Sequence, residues 1–569
     1  MCGFAGILSA DKVTRSRTKI AATLLQHRGP DEERFYECED YSVAFRRLAI
    51  IDVANSSQPI ENERFVLVFN GEIYNYLELK ENWLKGKYNF KTIGDAEVIL
   101  AGYTIYGCDF FKRLNGIFAF AIYDKSTKKV VLCRDPAGVK PLFYRKQFTE
   151  LTFASELNAL LGIADCKFKL NEEALRIFLS TGYIPAPWTI YRGIDSLEPG
   201  TYLMRDKLDT KIVRYWNEEK NETPTVEMFE DQLQKAIKQQ LMSERPLGVF
   251  LSGGVDSSLI TLGASREQQV DTFTAVIEDE EWNEQAYANQ IAEKVNSRHH
   301  EVHLSGLSSD LIENIIYRYG QPFADASMVP TYLVSQLVRE KGVVVVLAGD
   351  GSDEMYCGYE YRYNKAIEHE AADNRAFFDE HYVRVPCELS AGYLTSNFSV
   401  FEAFSKKIDT SSQSKVDLMR KFDSRFFLEG DILQKVDIAS MAHSLEVRVP
   451  FLSQDLIHLV AQMPSSLLVD QGCSKKLWKE ILAKQMPREF VYRKKVGLQI
   501  PLKKWIDTLL ESIGPNDPIW SLSVLRVDRF RALLESRKRR KLHNITSNFL
   551  FFVYVLNVWL KRNIKSIDL

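Results

Sequence analysis

Through the first 215 residues, apolar positions come in short runs broken by turn residues, the pattern of strands in layered sheets. Such runs lie at Tyr41 to Ile51, Phe65 to Phe69, Ile117 to Tyr123, Val130 to Cys133 and Leu142 to Tyr144. Helical spacing intervenes at Asp95 to Tyr106 and Glu172 to Ser180. The expectation is an α+β domain of packed sheets and helices over residues 2–215. Pro185 to Pro187 and Pro199-Gly200 mark loops near its end, and the polar stretch Asn217 to Pro224 predicts a linker, drawn at 216–225.

Beyond the linker, the rhythm changes to strand–helix alternation. Strands are expected at Gly248 to Leu251, Thr272 to Ile277, His300 to Leu304 and Val343 to Leu347, with helices at Asn283 to Val295, Leu311 to Tyr319 and Pro330 to Lys341. The unbroken run Val343-Val344-Val345-Val346-Leu347 is typical of a strand covered on both faces in a parallel sheet. Past about residue 360 the chain reads as mostly helical, so residues 226–569 form an α/β parallel-sheet domain with a helical C-terminal part. No internal repeat or low-complexity tract is evident.

Composition narrows the class. At 569 residues the chain exceeds a single core, and two domains are expected. A net charge of −3 gives no electrostatic case for nucleic acid or an acidic membrane. No run approaches the length of a transmembrane span, and no basic stretch followed by an apolar one marks a signal peptide. The eight cysteines are scattered without a CxxC pair, which suits a reducing cytoplasm and argues against zinc or a disulfide framework.

Two segments carry candidate chemistry. The chain starts Met1-Cys2-Gly3-Phe4-Ala5-Gly6-Ile7. Methionine is readily trimmed before a small residue, leaving Cys2 with a thiol and a free α-amine. The amine has a reference pKa of about 7.7–8.0 and the thiol about 8.5, so nucleophile and base sit on one residue. The second segment is Ser252-Gly253-Gly254-Val255-Asp256-Ser257-Ser258, after an apolar run ending at Leu251 and before an apolar helix. Its glycines permit a tight turn, its amides and helix start offer a phosphate site, and Asp256 suits a Mg²⁺ held against phosphates. The Gly-Lys-Ser/Thr ending of a Walker loop is absent. Ala348-Gly349-Asp350 falls at the end of the valine strand, where ligands of parallel sheets bind.

Together these segments resemble the glutamine-hydrolysing asparagine synthetase family, of the asparagine synthetase B type, from Cys2 to about Trp505. The resemblance implies an αββα sandwich of the N-terminal-nucleophile hydrolase type, acting as a class II glutamine amidotransferase, followed by an ATP-pyrophosphatase domain. On that likeness Cys2 is the nucleophile, and Arg47 clamps the glutamine α-carboxylate. Asn70 and Gly71 receive the developing oxyanion, while Glu72 and Asp95 lie around the substrate amino group. The segments Arg28-Gly29-Pro30-Asp31 and Arg134 to Pro141 read as scaffold for this site. ATP would be bound by Leu251, Ser252, Gly253, Gly254, Asp256, Ser257, Ser258, Gly349 and Lys475, with Mg²⁺ on Asp256 and Asp353. Asp350 would stand near the acyl-adenylate and Lys495 against departing pyrophosphate. Arg448, Asp325 and Ser327 belong to matching segments.

The implied reaction releases ammonia from glutamine at Cys2 and amidates a carboxylate through an acyl-adenylate, with ATP as co-substrate. Aspartate is the expected acceptor and asparagine the product. Another carboxylate, such as a sugar acid or a secondary-metabolite precursor, is the alternative. An ATP-dependent cyclase or a silent nucleotide-binding protein fits less well, because Cys2, Arg47, Asn70, Asp256, Asp353 and Lys495 are all present. The expected partners are small molecules, with no nucleic acid and no membrane, and a homodimer is compatible with the family. Departures from the family pattern are Gln321, Asn283, Ser453, Ala348 and Lys479. His299-His300-Glu301-Val302-His303 lacks metal-ligand spacing, and the basic run Arg537 to Lys541 reads as a solvated helix face.

Overall fold

The computed structural model describes residues 2–568 except 207–208, 218–222, 278–283, 305–307, 387–391, 412–413, 495–501 and 537–543. Its first half contains strands β1 (Cys2–Leu8), β2 (Glu32–Glu37), β3 (Tyr41–Arg47), β4 (Ile60–Glu61), β5 (Phe65–Ile73), β6 (Gly116–Asp124), β7 (Lys129–Arg134), β8 (Phe143–Gln147), β9 (Glu150–Ala154), β10 (Phe168–Lys169), β11 (Ile194–Ser196), β12 (Thr201–Asp206) and β13 (Asp209–Arg214). They build two six-stranded antiparallel sheets, ordered β11-β8-β9-β1-β3-β2 and β13-β12-β7-β6-β5-β4.

Period-two alternation sorts the side chains of these strands between layers. On β5, Val66 and Val68 point into the core between the sheets with Phe4, Val43 and Ala121. Phe65, Leu67 and Phe69 face the other way, into a layer with Val98, Ile99 and Phe111. On β1, Ala5 and Ile7 pack instead against Ala21, Leu157 and Leu160 of the helices Thr18–Leu24 and Leu157–Ala164. Helix, sheet, sheet and helix layers result, the αββα sandwich expected. The following helix Glu172–Thr181 is capped by the Asn171 side chain on Ala174 N at 3.3 Å and closed by Gly182 at φ +89°. Gly182 supplies the left-handed end that other residues adopt at a cost.

The second half is organised on five parallel strands, β14 (Leu247–Phe250), β15 (Asp271–Ile277), β16 (Arg298–Leu304), β17 (Val345–Leu347) and β18 (Glu446–Arg448), ordered β16-β15-β14-β17-β18. Val345, Val346 and Leu347 are fully buried, as a strand covered on both faces requires. Most of the rest is helical, including a continuous helical stretch from Lys415 to Met441 whose middle, Asp423–Leu433, has π geometry. The helix Asn544–Asn563 is largely buried, and β19 (Ile567–Asp568) pairs in parallel with β10, returning the chain end to the first half.

Three features depart from the sequence reading. The glycine-bearing segment Cys2–Leu8 is a central strand, although Gly3 and Gly6 disfavour one intrinsically. β3 ends at Arg47 rather than Ile51, because the chain turns there toward Asp52, whose φ is +47°. β18 lies within the section read as helical.

Candidate active sites

β1 and β5 meet across the two sheets and bring the glutaminase candidates together. Cys2 is paired with Arg47 in the β1–β3 register and is buried. Its backbone N–H donates to Asn70 Oδ1 at 3.0 Å, and its carbonyl accepts from Arg28 Nε at 3.1 Å. The other end of the Asn70 amide, Nδ2, is buried and donates to nothing among the described residues. A buried amide donor left over beside a candidate nucleophile is what an oxyanion acceptor requires. Next to it, Gly71 has φ +145°, and a Cβ there would overlap the Ile117 carbonyl oxygen. Only glycine fits.

Arg47 donates to the Val53 and Asp52 carbonyls at 2.9 and 2.8 Å. The N–H groups of Asp52 and Val53 are in turn held by Glu244, from the second half, at 2.7 and 3.1 Å. Asp52 Oδ2 also accepts from Ile93 and Gly94 N–H, fixing the approach to Asp95. Asp95 itself accepts from Ile73 N–H at 2.9 Å, and burial pushes its carboxyl up to about 6. Burial likewise raises the Cys2 thiol, with nearby Arg47 opposing it. Glu72 is raised well above the usual range, first by burial and then by Asp95 and Glu446.

On the second half, β14 ends at Phe250 and the helix Val255–Ser265 begins after Gly254, placing the Gly-Ser loop beyond the sheet's C-terminal edge. Gly253 has φ +77°, and a Cβ there would come 2.6 Å from Ala288 N. Ser252 and Ser257 hydroxyls lie 3.0 Å apart, and Ser252 Oγ accepts from Gly254 N–H at 3.3 Å. Leu251 is buried beneath the loop, and Ser258 is fully buried with its hydroxyl unpartnered among the described residues.

Asp256 and Asp353 converge on one ammonium. Lys475 Nζ pairs with Asp256 Oδ2 and lies 2.8 Å from Asp353 Oδ1. Ser352 Oγ donates to Asp256 Oδ1 at 2.6 Å. Gly349 leaves room for this packing, since its Cβ would come 2.8 Å from the Asp256 Cβ. Asp350, one residue on, is raised by burial and by the Asp353 and Asp256 charges, with Lys435 opposing. Asn283, Lys495 and the run Arg537 to Lys541 lie outside the described residues. Gln321 is buried and accepts from Ile190 N–H at 3.2 Å. His299 bonds Thr272 Oγ1 at 2.8 Å, and His300 stacks on Phe273.

Between the two sites runs a buried charged layer that the sequence reading did not foresee. Arg28 donates to Glu156 at 2.9 Å and to both oxygens of Asp437 at 2.8 and 3.2 Å, and Lys140 Nζ reaches Asp437 at 3.3 Å. Arg134 pairs with Glu429 at 2.9 Å. Arg448 donates to Glu446 and to the carbonyls of Gln240 and Met242, and lies 3.6 Å from Glu72. Burial opposes the Glu446 charge, but nearby cations, Arg448 and Lys140 among them, hold its carboxyl at about 2. The i, i+2 spacing of Glu446 and Arg448 on a strand places both on one face, which is the signal that could have found this pair.

A cysteine–amide site on an αββα sandwich, joined to a Gly-Ser loop and paired aspartates on a parallel sheet, defines a two-domain glutamine amidotransferase of the adenylating kind. Family models agree, with asparagine synthase matching residues 228–561 and the glutamine amidotransferase domain matching residues 1–216. The chain belongs to the asparagine synthase family. It is 29% identical to asparagine synthetase [glutamine-hydrolyzing] 1 of Bacillus subtilis over 619 aligned positions, covering 100% of this chain and 97% of that one. Identity to asparagine synthetase B of Escherichia coli is 28%, covering 90% and 84% of the two chains. Among solved structures, glutamine phosphoribosylpyrophosphate amidotransferase of B. subtilis aligns with TM-score 0.29 and 15% identity over 61% of this chain and 82% of that one, too weak a likeness to add to the fold above.

Proposed function

We propose that this protein hydrolyses glutamine at Cys2 and spends the ammonia on amidating a carboxylate activated by ATP, with aspartate as acceptor and asparagine as product. The Cys2 thiol attacks the glutamine side-chain amide, with the α-amine of a trimmed Cys2 taking the thiol proton. Ammonia leaves, and water frees glutamate from the γ-glutamyl thioester. The unpartnered Asn70 Nδ2 beside Cys2 is the observation that carries this reading. Gly71 supports it as the second oxyanion donor, Arg47 as the clamp for the α-carboxylate, and Glu72 and Asp95 as acceptors for the α-ammonium.

In the second domain, which we place beyond a boundary within residues 216–225, the acceptor carboxylate attacks the α-phosphorus of ATP, expelling pyrophosphate. Ammonia then attacks the acyl-adenylate, expelling AMP and losing a proton. Leu251, Ser252, Gly253, Gly254, Asp256, Ser257, Ser258, Gly349 and Lys475 would form the nucleotide site, Asp350 would serve the acyl centre, and Lys495 is assigned to pyrophosphate by the family likeness alone. Asp256 and Asp353 fit Mg²⁺, being hard oxygen donors that converge on a single cationic group, Lys475. Bound there, the metal would neutralise phosphate charge. Ammonia is mostly protonated in neutral water, so a passage through the domain interface has a chemical reason. Among the described residues no helix is long and apolar enough to cross a membrane, and the scattered cysteines support a cytoplasmic setting.

Mass spectrometry of products from ATP, glutamine and a panel of carboxylates tests the reading. The expected result is asparagine, AMP, pyrophosphate and glutamate in equal amounts when aspartate is supplied. Amidation of a different acid, with aspartate inert, would overturn the acceptor assignment.

A further inference from the structure

The loop that follows β3 is held from the second half of the chain. Between the helix Val226–Gln240 and β14 the backbone turns at Ser243, whose hydroxyl donates to the Arg245 carbonyl at 2.8 Å and accepts from Arg245 N–H at 3.0 Å. That turn presents Glu244 to the first half. Its backbone N–H donates to the Ile50 carbonyl at 3.0 Å, while Oε1 accepts from Asp52 N–H at 2.7 Å and Oε2 from Val53 N–H at 3.1 Å. In the same region Leu48 and Ile50 pack with Val344, Val345 and Met441, so apolar burial backs the polar contact.

Two properties set this contact apart from a surface ion pair. First, Glu244 and Arg47 grip one peptide group from its two ends. The amide between Asp52 and Val53 gives its N–H to Glu244 Oε2 and its carbonyl to Arg47 Nη2 at 2.8 Å. Each charge polarises that amide in the sense the other needs, so the two hydrogen bonds strengthen one another. Arg47 Nη1 is fixed as well, on the Val53 carbonyl at 2.9 Å. Two of the five guanidinium N–H groups are used in this way, and Nε is among the three left for a ligand. Secondly, the loop needs outside support. Asp52 has φ +47°, in the left-handed region that a residue with a side chain adopts at a cost. Successive N–H groups of such a turn form a concave anion site, and the Glu244 carboxylate fills it. The Asp52 carboxylate completes the hold by accepting from Ile93 and Gly94 N–H.

We propose that Glu244 is a positioning residue for glutamine hydrolysis: reaching over from the second half, it sets the Asp52–Val53 loop so that Arg47 is aimed at the glutamine α-carboxylate. This inference rests on the reading of Arg47 as the clamp and names what holds the clamp in place. A guanidinium on an unsupported loop would have to be ordered by glutamine itself, and the cost of that ordering would be subtracted from affinity. Among the described residues the Glu244 side chain bonds this loop alone, so its effect falls on glutamine binding rather than on the attack by Cys2.

Calorimetric titration of Cys2→Ala protein, which binds without turnover, tests the assignment with three ligands. Glutamine carries both α-groups, glutaramate lacks the ammonium, and 4-aminobutanamide lacks the carboxylate. Adding Glu244→Ala is expected to weaken glutamine and glutaramate by about 10-fold, the worth of one charged hydrogen bond, and to leave 4-aminobutanamide within about twofold. With Cys2 restored, the glutamine KM should rise by the same factor, while kcat and synthesis from ammonium salt stay within about twofold. Glu244→Gln keeps one acceptor oxygen for the loop; it should fall between, and it carries the test if the alanine variant does not fold, as judged by its melting temperature. Equal weakening of glutaramate and 4-aminobutanamide, a fall in kcat in place of a rise in KM, or an unchanged glutamine affinity would overturn the proposal. Arg47→Met tests the underlying reading separately and should weaken glutamine and glutaramate more than Glu244→Ala does. If it spares glutaramate, the clamp reading of Arg47 falls, and the role of Glu244 with it.

Discussion

Replacing Asn70 with alanine should separate catalysis from stability. In the resting structure the Asn70 side chain makes one hydrogen bond, from Cys2 N–H to Oδ1 at 3.0 Å, and leaves Nδ2 buried without a partner. Losing the bond costs about 1 kcal/mol, while removing a buried unsatisfied donor returns about 1–3 kcal/mol, so the two changes largely offset. In the transition state the balance differs. If Nδ2 then donates to the oxyanion, its loss costs about 10²–10³ in kcat, or about 2.7–4 kcal/mol of barrier. Glutamate formation from glutamine reports this step, and amide formation from ammonium salt reports the other domain. Asn70→Ala should lose the first by at least a hundredfold, retain the second, and melt within a few degrees of the parent. A loss of glutaminase rate under tenfold, or a parallel loss with ammonium salt, would refute the oxyanion role.

Four further outcomes are expected. Cys2→Ala should abolish glutamine-driven synthesis and keep synthesis from ammonium salt, measured as amide formed from each nitrogen source. Asp256→Asn and Asp353→Asn should each lose synthesis with either source while glutamate formation continues, because Mg²⁺ would lose an anionic ligand beside the triphosphate. Asp437→Ala should destabilise the protein by about 3–5 kcal/mol, seen as a lower urea midpoint, because Arg28 and Lys140 stay buried without their shared carboxylate. Asp95, raised to about 6 by burial, holds its proton longer when folded than when unfolded, so its contribution to stability falls as pH rises from about 4 to 6. Asp95→Asn should flatten that part of the melting-temperature profile; an unchanged slope would show that another group sets it.

Legibility in the sequence followed the range of the interactions. The valine strand and the Gly-Ser loop were readable because burial on two faces and a tight turn each leave a local mark. The strand at Cys2–Leu8 was not, since its glycines serve close approach: a Cβ on Gly6 would meet the Ser42 carbonyl and the Phe153 ring. The candidate groups around Cys2 were named from motif resemblance, but the left-over donor of Asn70 emerges only from its surroundings. Asp437 carries no local signal at all. It is one charged residue among many in the helical region, and it acquires a meaning only through partners 297 and 409 positions away.

The domain interface shows why those distant partners matter. Arg28, Arg134, Lys140 and Arg448 are all buried there, opposite Glu156, Glu429, Asp437, Glu446 and Glu72. An apolar interface of the same size would hold the domains together at less desolvation cost, so net stability does not explain the charges. Geometry does. Ion pairs with fixed forks tolerate little sliding, whereas apolar surfaces can slip past one another. Arg28 ties the Cys2 carbonyl to Asp437, and Asp437 lies two residues beyond Lys435 on the same helix. The helix Gln434–Met441 is therefore tied to the backbone of the candidate nucleophile through two charged hydrogen bonds of Arg28. The buried charges therefore fix the register of the helix Gln434–Met441 against the strand that carries Cys2.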